Sequence, residues 1–470
     1  MSRINTNVSS LIAQRSLATN QNQLNNSLQR LSTGLKINTG KDDPAGLIAS
    51  ENLKAEQTGI QTAIDNAGRA GNIIGTAEGG LSEVSSLLTH LQGLVGQSAN
   101  TGGLSSEEIA ANQLQVDSIL STVNRIAGST SFQGRKLLDG NLAYTTSSIT
   151  AADIGNVQIS AARLPANAAT QVVIAVSQSA QTATLGSTAL PLLAGNPVTL
   201  EIGGNQGTEQ VSIAGGTAIG GIITAINGVK AATGVSASNS GGALRLDSKG
   251  FGSKQYVTLN TISGTFATAT GAAKAVGRDA KVSVNGAAAQ ADGLAVSFRN
   301  SNLDLSFDLK ATQNTNAGAT NFYVTGGGAQ FALGSKVDET GKASIGVQGV
   351  SVGSLGDATN GYLSTLGSGQ ANSLSATDLS TAQKILNSAI KQVSDLRGRL
   401  GAFQKFTIGS TVNSLNVASE NAAAAQSAIS DTDFAAETAK LTRAQILSQA
   451  ATTVLSQANS APQSVLKLLQ

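Results

Sequence analysis

The chain has 470 residues, a formal net charge of +2 and only 12% charged residues. That length accommodates several domains. The lack of a basic block argues against nucleic acid, and no apolar run approaches the roughly 20 residues that cross a bilayer. With 0 Cys and a single His, disulfides, thiolate metal sites and a two-histidine zinc motif are excluded, so no cofactor or metal is expected. Aromatic residues are 3% against 53 glycines. That balance suits close-packed helices and thin strand domains better than a catalytic pocket, which large apolar groups usually line. Residues 1–16 lack a basic segment followed by an apolar stretch, so a protein that is cytosolic, or exported without a cleaved signal, is expected.

The first element is an amphipathic arm. Ile4, Val8 and Leu11 form one stripe, Leu24, Leu28, Leu31 and Leu35 another, and the remaining face is mostly Asn, Gln, Ser and Thr. A long helix then starts at Asp43-Pro44, where Asp43 caps free amides and Pro44 suits the first turn. Within it Leu53, Ile60, Ala67, Ile74, Leu81, Leu88 and Val95 recur every seven residues, with Ala63, Ala70, Ala77, Val84 and Leu91 at the companion position. This is a sustained a/d seam. At 1.5 Å per residue the helix is about 80 Å long, too long for an ordinary globular core to cover, so other long helices must cover it.

Ser105-Ser106-Glu107-Glu108 reads as a capping box opening a second helix, with Ile109, Val116, Ile119, Val123 and Ile126 on one face. Residues 141–345 change to strand character. Strands are expected at 198–202 and 210–213, a short helix around Ile219, Ile222, Ile223 and Ile226, and strands again at 244–246 and 256–259. Further strands at 282–284, 294–298 and 303–307 follow, the first ending in Asn285-Gly286, a hairpin signal. Helical spacing returns at Leu379, Ala382, Leu386, Ala389, Val393, Leu396, Leu400 and Phe403. It slips by one residue to Ile408, Val412, Leu415, Ala422 and Ile429, which alters local winding. The last stripe runs Leu441, Ala444, Leu447, Ala451, Val454, Ala458, Ala461, Val465 and Leu468.

These elements predict an α+β multidomain protein, with long terminal helices pairing into coiled-coil-like rods around an inserted, mainly β middle domain. The expected divisions are an N-terminal arm at 1–42, half of a helical rod with a β-hairpin at 43–165, an inserted domain at 166–320, the other rod half at 321–430, and a C-terminal arm at 431–470. Leu53, Ile60, Ile74, Leu81, Leu88, Leu386, Val393, Leu396, Leu400 and Phe403 are expected in the rod core. A lone pair of terminal arms buries little surface, and neutral polar faces pack on copies of themselves without burying many charges. Ile4, Val8, Leu11, Leu28, Leu31, Leu35, Leu441, Leu447, Val454, Val465 and Leu468 are therefore expected at subunit interfaces of a polymer.

Chemical readings of single features fare worse. His90 lacks a second His or Cys and sits in a helical pattern. Gly326-Gly327-Gly328 and Gly203-Gly204 are not followed by Gly-Lys-Ser/Thr, so turns are the better reading. Asp42-Asp43 is explained by the helix cap, since Pro44 follows. The terminal stripes lack the Lys/Arg and bulky aromatic pattern of membrane-surface helices. No catalytic, metal-binding or cofactor-binding residues are assigned.

Ile4-Asn5-Thr6-Asn7, the run 31–38, Lys41-Asp42-Asp43-Pro44-Ala45-Gly46, Gln97-Ser98-Ala99-Asn100 and the run 132–140 resemble the N-terminal pattern of bacterial flagellins. Leu400-Gly401-Ala402-Phe403-Gln404, the run 431–437 and the ending 461–466 resemble its C-terminal pattern. The match spans both arms, about half of the chain. Residues 234–259 are similar to an insertion motif of some flagellins and filament-cap proteins. The resemblance implies a non-enzymatic subunit exported unfolded through the flagellar channel and polymerised into an extracellular filament. It implies an inner coiled shell from the chain ends, a helical outer shell and a surface-facing middle. Implied partners are copies of itself, the export apparatus, an export chaperone that shields the C-terminal helix, and hook-associated and cap proteins. A hook-filament junction protein is the alternative. The pattern departs at residues 88–96, where many flagellins carry an Arg/Glu-rich stretch that contributes to Toll-like receptor recognition. Weak or no recognition by that receptor is expected here.

Overall fold

A computed structural model describes residues 6–100, 102–165, 168–186, 196–266, 274–315, 318–376 and 378–468. Among the described residues, the seven α-helices of ten residues or more are α1 Val8–Thr33, α2 Pro44–Ser98, α3 Ser106–Ser129, α4 Ile219–Gly228, α5 Ser380–Ala402, α6 Gly409–Ser430 and α7 Phe434–Leu468. The chain divides into two compact units. One holds residues 1–69, 332–341 and 408–470, the other 70–331 and 342–407.

The heptad of α2 becomes a buried face. Ile60, Ala63, Ala67, Ala70, Ile74, Ala77, Leu81, Val84, Leu88, Leu91 and Val95 are all buried, while Leu53 is half-buried. Asp43 caps the helix as its sequence predicts, accepting from the Gly46 amide at 2.9 Å. In the second unit, α5 runs antiparallel to α2: Gln92 reaches Asn387 at 3.4 Å, and Glu78 lies 3.8 Å from Arg397. Leu386, Val393, Leu396 and Leu400 of α5 are buried, and Phe403 beyond it is half-buried. The capping box at Ser105 and Glu108 is formed. The buried face of α3 is centred on Gln113, Val116, Leu120, Val123 and Ala127, one position round from the expected stripe. Gln113 belongs there because it accepts from the Leu374 amide at 2.7 Å and donates to the Leu366 carbonyl at 3.0 Å. The one-residue slip in the C-terminal pattern is a π-helical segment at Phe403–Ile408. An inserted residue that widens one turn rephases the stripe without ending the helix.

After α3 the chain makes a small hairpin, β1 Ser131–Phe132 and β2 Arg135–Lys136, through Gln133 and Gly134 at φ 49° and 82°. Positive φ at both central residues matches the strand twist. The hairpin region packs so closely on α2 that a Cβ on Gly80 would stand 2.7 Å from the Thr130 hydroxyl oxygen.

The strands that follow are β3 Tyr144–Ser147, β4 Ile154–Ala162, β5 Thr170–Gln178, β6 Thr182–Gly186, β7 Val198–Gly204, β8 Gly207–Ile213, β9 Val235–Ser240, β10 Ala243–Phe251, β11 Tyr256–Ser263, β12 Lys274–Val276, β13 Lys281–Val284, β14 Ala287–Asp292, β15 Ala295–Arg299, β16 Leu303–Leu309 and β17 Ala319–Gly327. Eight of them make one sheet in the order β3-β17-β5-β13-β14-β15-β16-β4. The expected Asn285-Gly286 turn joins β13 to β14 with φ 50° and 81°. This sheet runs across the expected boundaries at 165/166 and 320/321. β4 pairs with β16, and β17 pairs with β5, so flanking and middle segments share one core around Ile174, Leu305, Phe307 and Phe322.

A smaller domain is nested inside that sheet. β6 to β12 and α4 enclose a separate core of Leu185, Leu200, Ile202, Ile222, Ile226, Leu244, Leu246 and Val257. Its two ends meet. The Gln181 amide donates to Arg278 at 2.7 Å, and the Arg278 amide donates back at 3.0 Å. Gly277 sits in this neck where a Cβ would stand 2.4 Å from the Gly252 carbonyl oxygen. Asn314 braces the adjoining strand, bonding the amide and carbonyl of Ala180 at 2.6 and 3.0 Å. Residues 181 and 278 are a directly opposed pair, about 5.5 Å apart at Cα, so a short linker can replace 182–277. The expected product keeps the core of the eight-stranded sheet and still forms filaments. Thermal melting and electron microscopy check this; loss of cooperative melting in the remaining chain would refute the nesting.

Candidate assembly surface

The terminal helices α1 and α7 lie antiparallel in the first unit. The Asn7 amide group donates to the Ala458 carbonyl at 2.7 Å, Ser10 donates to Asn459 at 2.7 Å, and Asn20 donates to the Leu447 carbonyl at 3.2 Å. At the other end Ser27 donates to Glu437 at 2.7 Å, and an isolated bridge joins Leu35 to Asp431. Small and polar residues dominate the seam: Ser10, Ala13 and Ser27 of α1 are buried, as are Glu437, Ala444 and Ala451 of α7.

The apolar residues named from sequence divide between two faces. Leu24, Leu31 and Leu441 are half-buried on the side of the seam. Val8, Leu11, Leu28 and Leu35 are exposed by 56, 57, 47 and 39%, and Leu447 and Val454 by 43 and 57%. Ile12 and Ile446, absent from the sequence assignment, share that exposure. The stripe was read as one face because spacings of three and four cover more than 100° of a helix. Half of that width meets the partner helix and half does not. Ile4 and the side chains of Val465 and Leu468 fall outside the described residues.

Glu437 is the one charged side chain buried in the seam among the described residues. Burial opposes its charge. The Ser27 hydroxyl, the Lys440 ammonium at 3.0 Å and the Arg30 guanidinium at 3.9 Å outweigh that, so its carboxyl titrates below the ordinary value. A lowered folded-state pKa contributes stability that is complete above the unfolded value of about 4.3 and is lost as pH falls through the folded one. Amide protection of α1 and α7 in filaments is therefore expected to fall in acid below pH 4.3, and Glu437→Gln should remove that step. An unchanged acid profile in the variant would show that other carboxylates control it.

Asp42 takes part in the turn that precedes α2. Asp42 accepts from the backbone amides of Thr39 and Asn38 at 2.9 and 3.2 Å, and these bonds, Thr39 first, lower its pKa. His90 is exposed on α2. Among the described residues no group of three His, Cys, Asp or Glu is placed to hold a metal ion, and no helix is long and apolar enough to cross a membrane.

Comparison with known proteins agrees with this architecture. Residues 4–143 match the bacterial flagellin N-terminal helical region, residues 383–469 the bacterial flagellin C-terminal helical region, and residues 199–250 the flagellin hook IN motif. The last match begins ahead of the 234–259 segment picked out by resemblance and falls inside the nested domain. The B-type flagellin of Pseudomonas aeruginosa is 31% identical, with 99% of each chain covered. Flagellin C of Vibrio cholerae is 30% identical, again with 99% of each covered. Among solved structures, FliC from Burkholderia pseudomallei aligns with 72% of this chain and 99% of its own at 18% identity and a TM-score of 0.25, too loose a likeness to bear on the fold. Full-length identity above 30% and both terminal matches place the chain: it belongs to the bacterial flagellins.

Proposed function

We propose that this flagellin is exported and assembles outside the cell, with α1 and α7 as its polymerising arms. As a flagellin it is a structural subunit of the flagellar filament and serves motility. The observation that carries the role of the arms is the row of apolar side chains, Val8, Leu11, Leu28, Leu447 and Val454, left exposed on a helix pair whose own seam is small and polar. Exposed large apolar side chains suit an interaction site, and the neutral faces around them do not force buried charges on a neighbouring copy. The export apparatus, an export chaperone for the C-terminal helix, and hook-associated and cap proteins are the proposed partners. The hook-filament junction reading is not favoured, since the relatives matched over 99% of the chain are flagellins. Purified full-length protein, seeded with filament fragments, should grow long filaments visible by electron microscopy. Failure to elongate would overturn the assignment of the arms.

A further inference from the structure

Within the second unit, a groove of about 290 Å³ is lined by Arg399, Ser160, Ser344, Ile345, Phe403 and Phe406 among others. Its electrostatics are unbalanced. Arg299 and Asp304, also in its lining, pair at 2.7 Å, which leaves Arg399 as the unmatched charge. The Arg399 guanidinium donates to the Ser160 hydroxyl through Nη1, but its Nε–H is buried and has no acceptor. Burial pushes its pKa down. Asp304 and Asp395 act on it only from a distance, and Arg299 repels it. Asp395 is itself bonded to Lys391 at 3.1 Å. A partly desolvated cation that forms no direct ion pair is costly, and an unsatisfied buried donor adds to that cost. Beside it Phe406 stands 66% exposed, one turn along the π-helical segment from Phe403, whose ring lies 6.0 Å from that of Phe331.

We propose that this groove is a socket for a second copy of the chain, which inserts a carboxylate side chain toward Arg399 and lays apolar surface on Phe406. The inference rests on the reading of the chain as a filament subunit. Charge complementarity selects the carboxylate: the free valence in the groove is one cationic group with a donor unused, and Arg binds carboxylates through paired donors. The exposed ring supplies the apolar part of the contact. The contact is separate from the terminal arms, so its loss weakens the filament without touching α1 or α7.

The cation costs the free subunit and benefits the filament, so one substitution moves the two in opposite directions. In full-length Arg399→Met the free chain should melt at the same temperature as wild type or higher, while the critical concentration for seeded growth rises roughly tenfold or more. Arg399→Lys, which keeps the charge, should recover part of that loss, and Phe406→Ser should raise the critical concentration without lowering the melting temperature. A residue that only supports the fold would lower the melting temperature. Arg399→Met with an unchanged critical concentration, or with a melting temperature that falls in step with it, overturns the socket while leaving the filament reading intact. Wild type that fails to elongate overturns both.

Discussion

Limited proteolysis should strip α1 and α7 from the free chain and spare both in the filament. The two helices pair with each other, yet what they bury is modest. Fixing the backbone costs about 1–2 kcal/mol per residue, whereas a fully buried Leu or Val returns about 1.5–3 kcal/mol. The buried positions of the seam are Ser10, Ala13, Ser27, Ala444 and Ala451, all small, together with the charged Glu437, and the larger Val8, Leu11, Ile12, Leu28, Ile446, Leu447 and Val454 remain exposed. A two-helix pair built this way is marginal by itself. On the proposed assembly, neighbouring copies would provide the missing burial, which would couple ordering of the arms to polymerisation. The fragment lacking both arms should keep its far-UV circular dichroism melt for the remaining helices and form no filaments, even on seeds. Equal resistance of the arms in free chain and filament would break the argument, as would normal filaments from the trimmed fragment.

The helical half of this protein was legible because one periodicity runs unbroken through it. The seven-residue recurrence from Ile60 to Val95 marks the same side chains that are buried, and the slip after Phe403 marks the π-helical segment. Sequence was less informative wherever a second partner decides the outcome. Leu28 and Leu31 are neighbours in one stripe, but Leu28 is exposed and Leu31 half-buried, and no periodicity in α1 alone can distinguish them. Gln113 is buried through backbone groups some 250 residues away, beyond the reach of any local pattern. The strand segments were recognisable from alternation and from Asn285-Gly286. Their sheet order was not, because pairing β4 with β16 and β17 with β5 is set by non-local contacts. That is why a boundary drawn on composition fell inside a sheet. Arg399 also escaped notice, since a charged residue in a helix ordinarily faces water; the signal was its spacing of three residues from the buried Leu396, at the border of the α5 stripe.

Leu81→Asp should be the most destabilising single change in the α2 seam. Leu81 is 0% exposed, with Ala77, Val84 and Leu88 of the same helix buried beside it. Aspartate there either ionises in an apolar seam or is held protonated by it, and both outcomes cost free energy. A buried charge without a partner costs about 3–5 kcal/mol, and the lost leucine packing adds about 2–5 kcal/mol, as in a large-to-small core substitution. The two contributions overlap and do not simply add, but either is a large share of the roughly 5–15 kcal/mol that holds a domain folded. The neighbouring Ser82 is exposed, so Ser82→Asp introduces the same charge one residue along, outside the seam, and should cost within about 0.5 kcal/mol. Far-UV circular dichroism during denaturation should show a large drop in the midpoint of the second unit for Leu81→Asp and almost none for Ser82→Asp. Wild-type midpoints for both variants would mean that the α2 heptad does not face a core. A similar loss in both would mean that charge anywhere on the helix, and not burial at Leu81, is what the fold rejects.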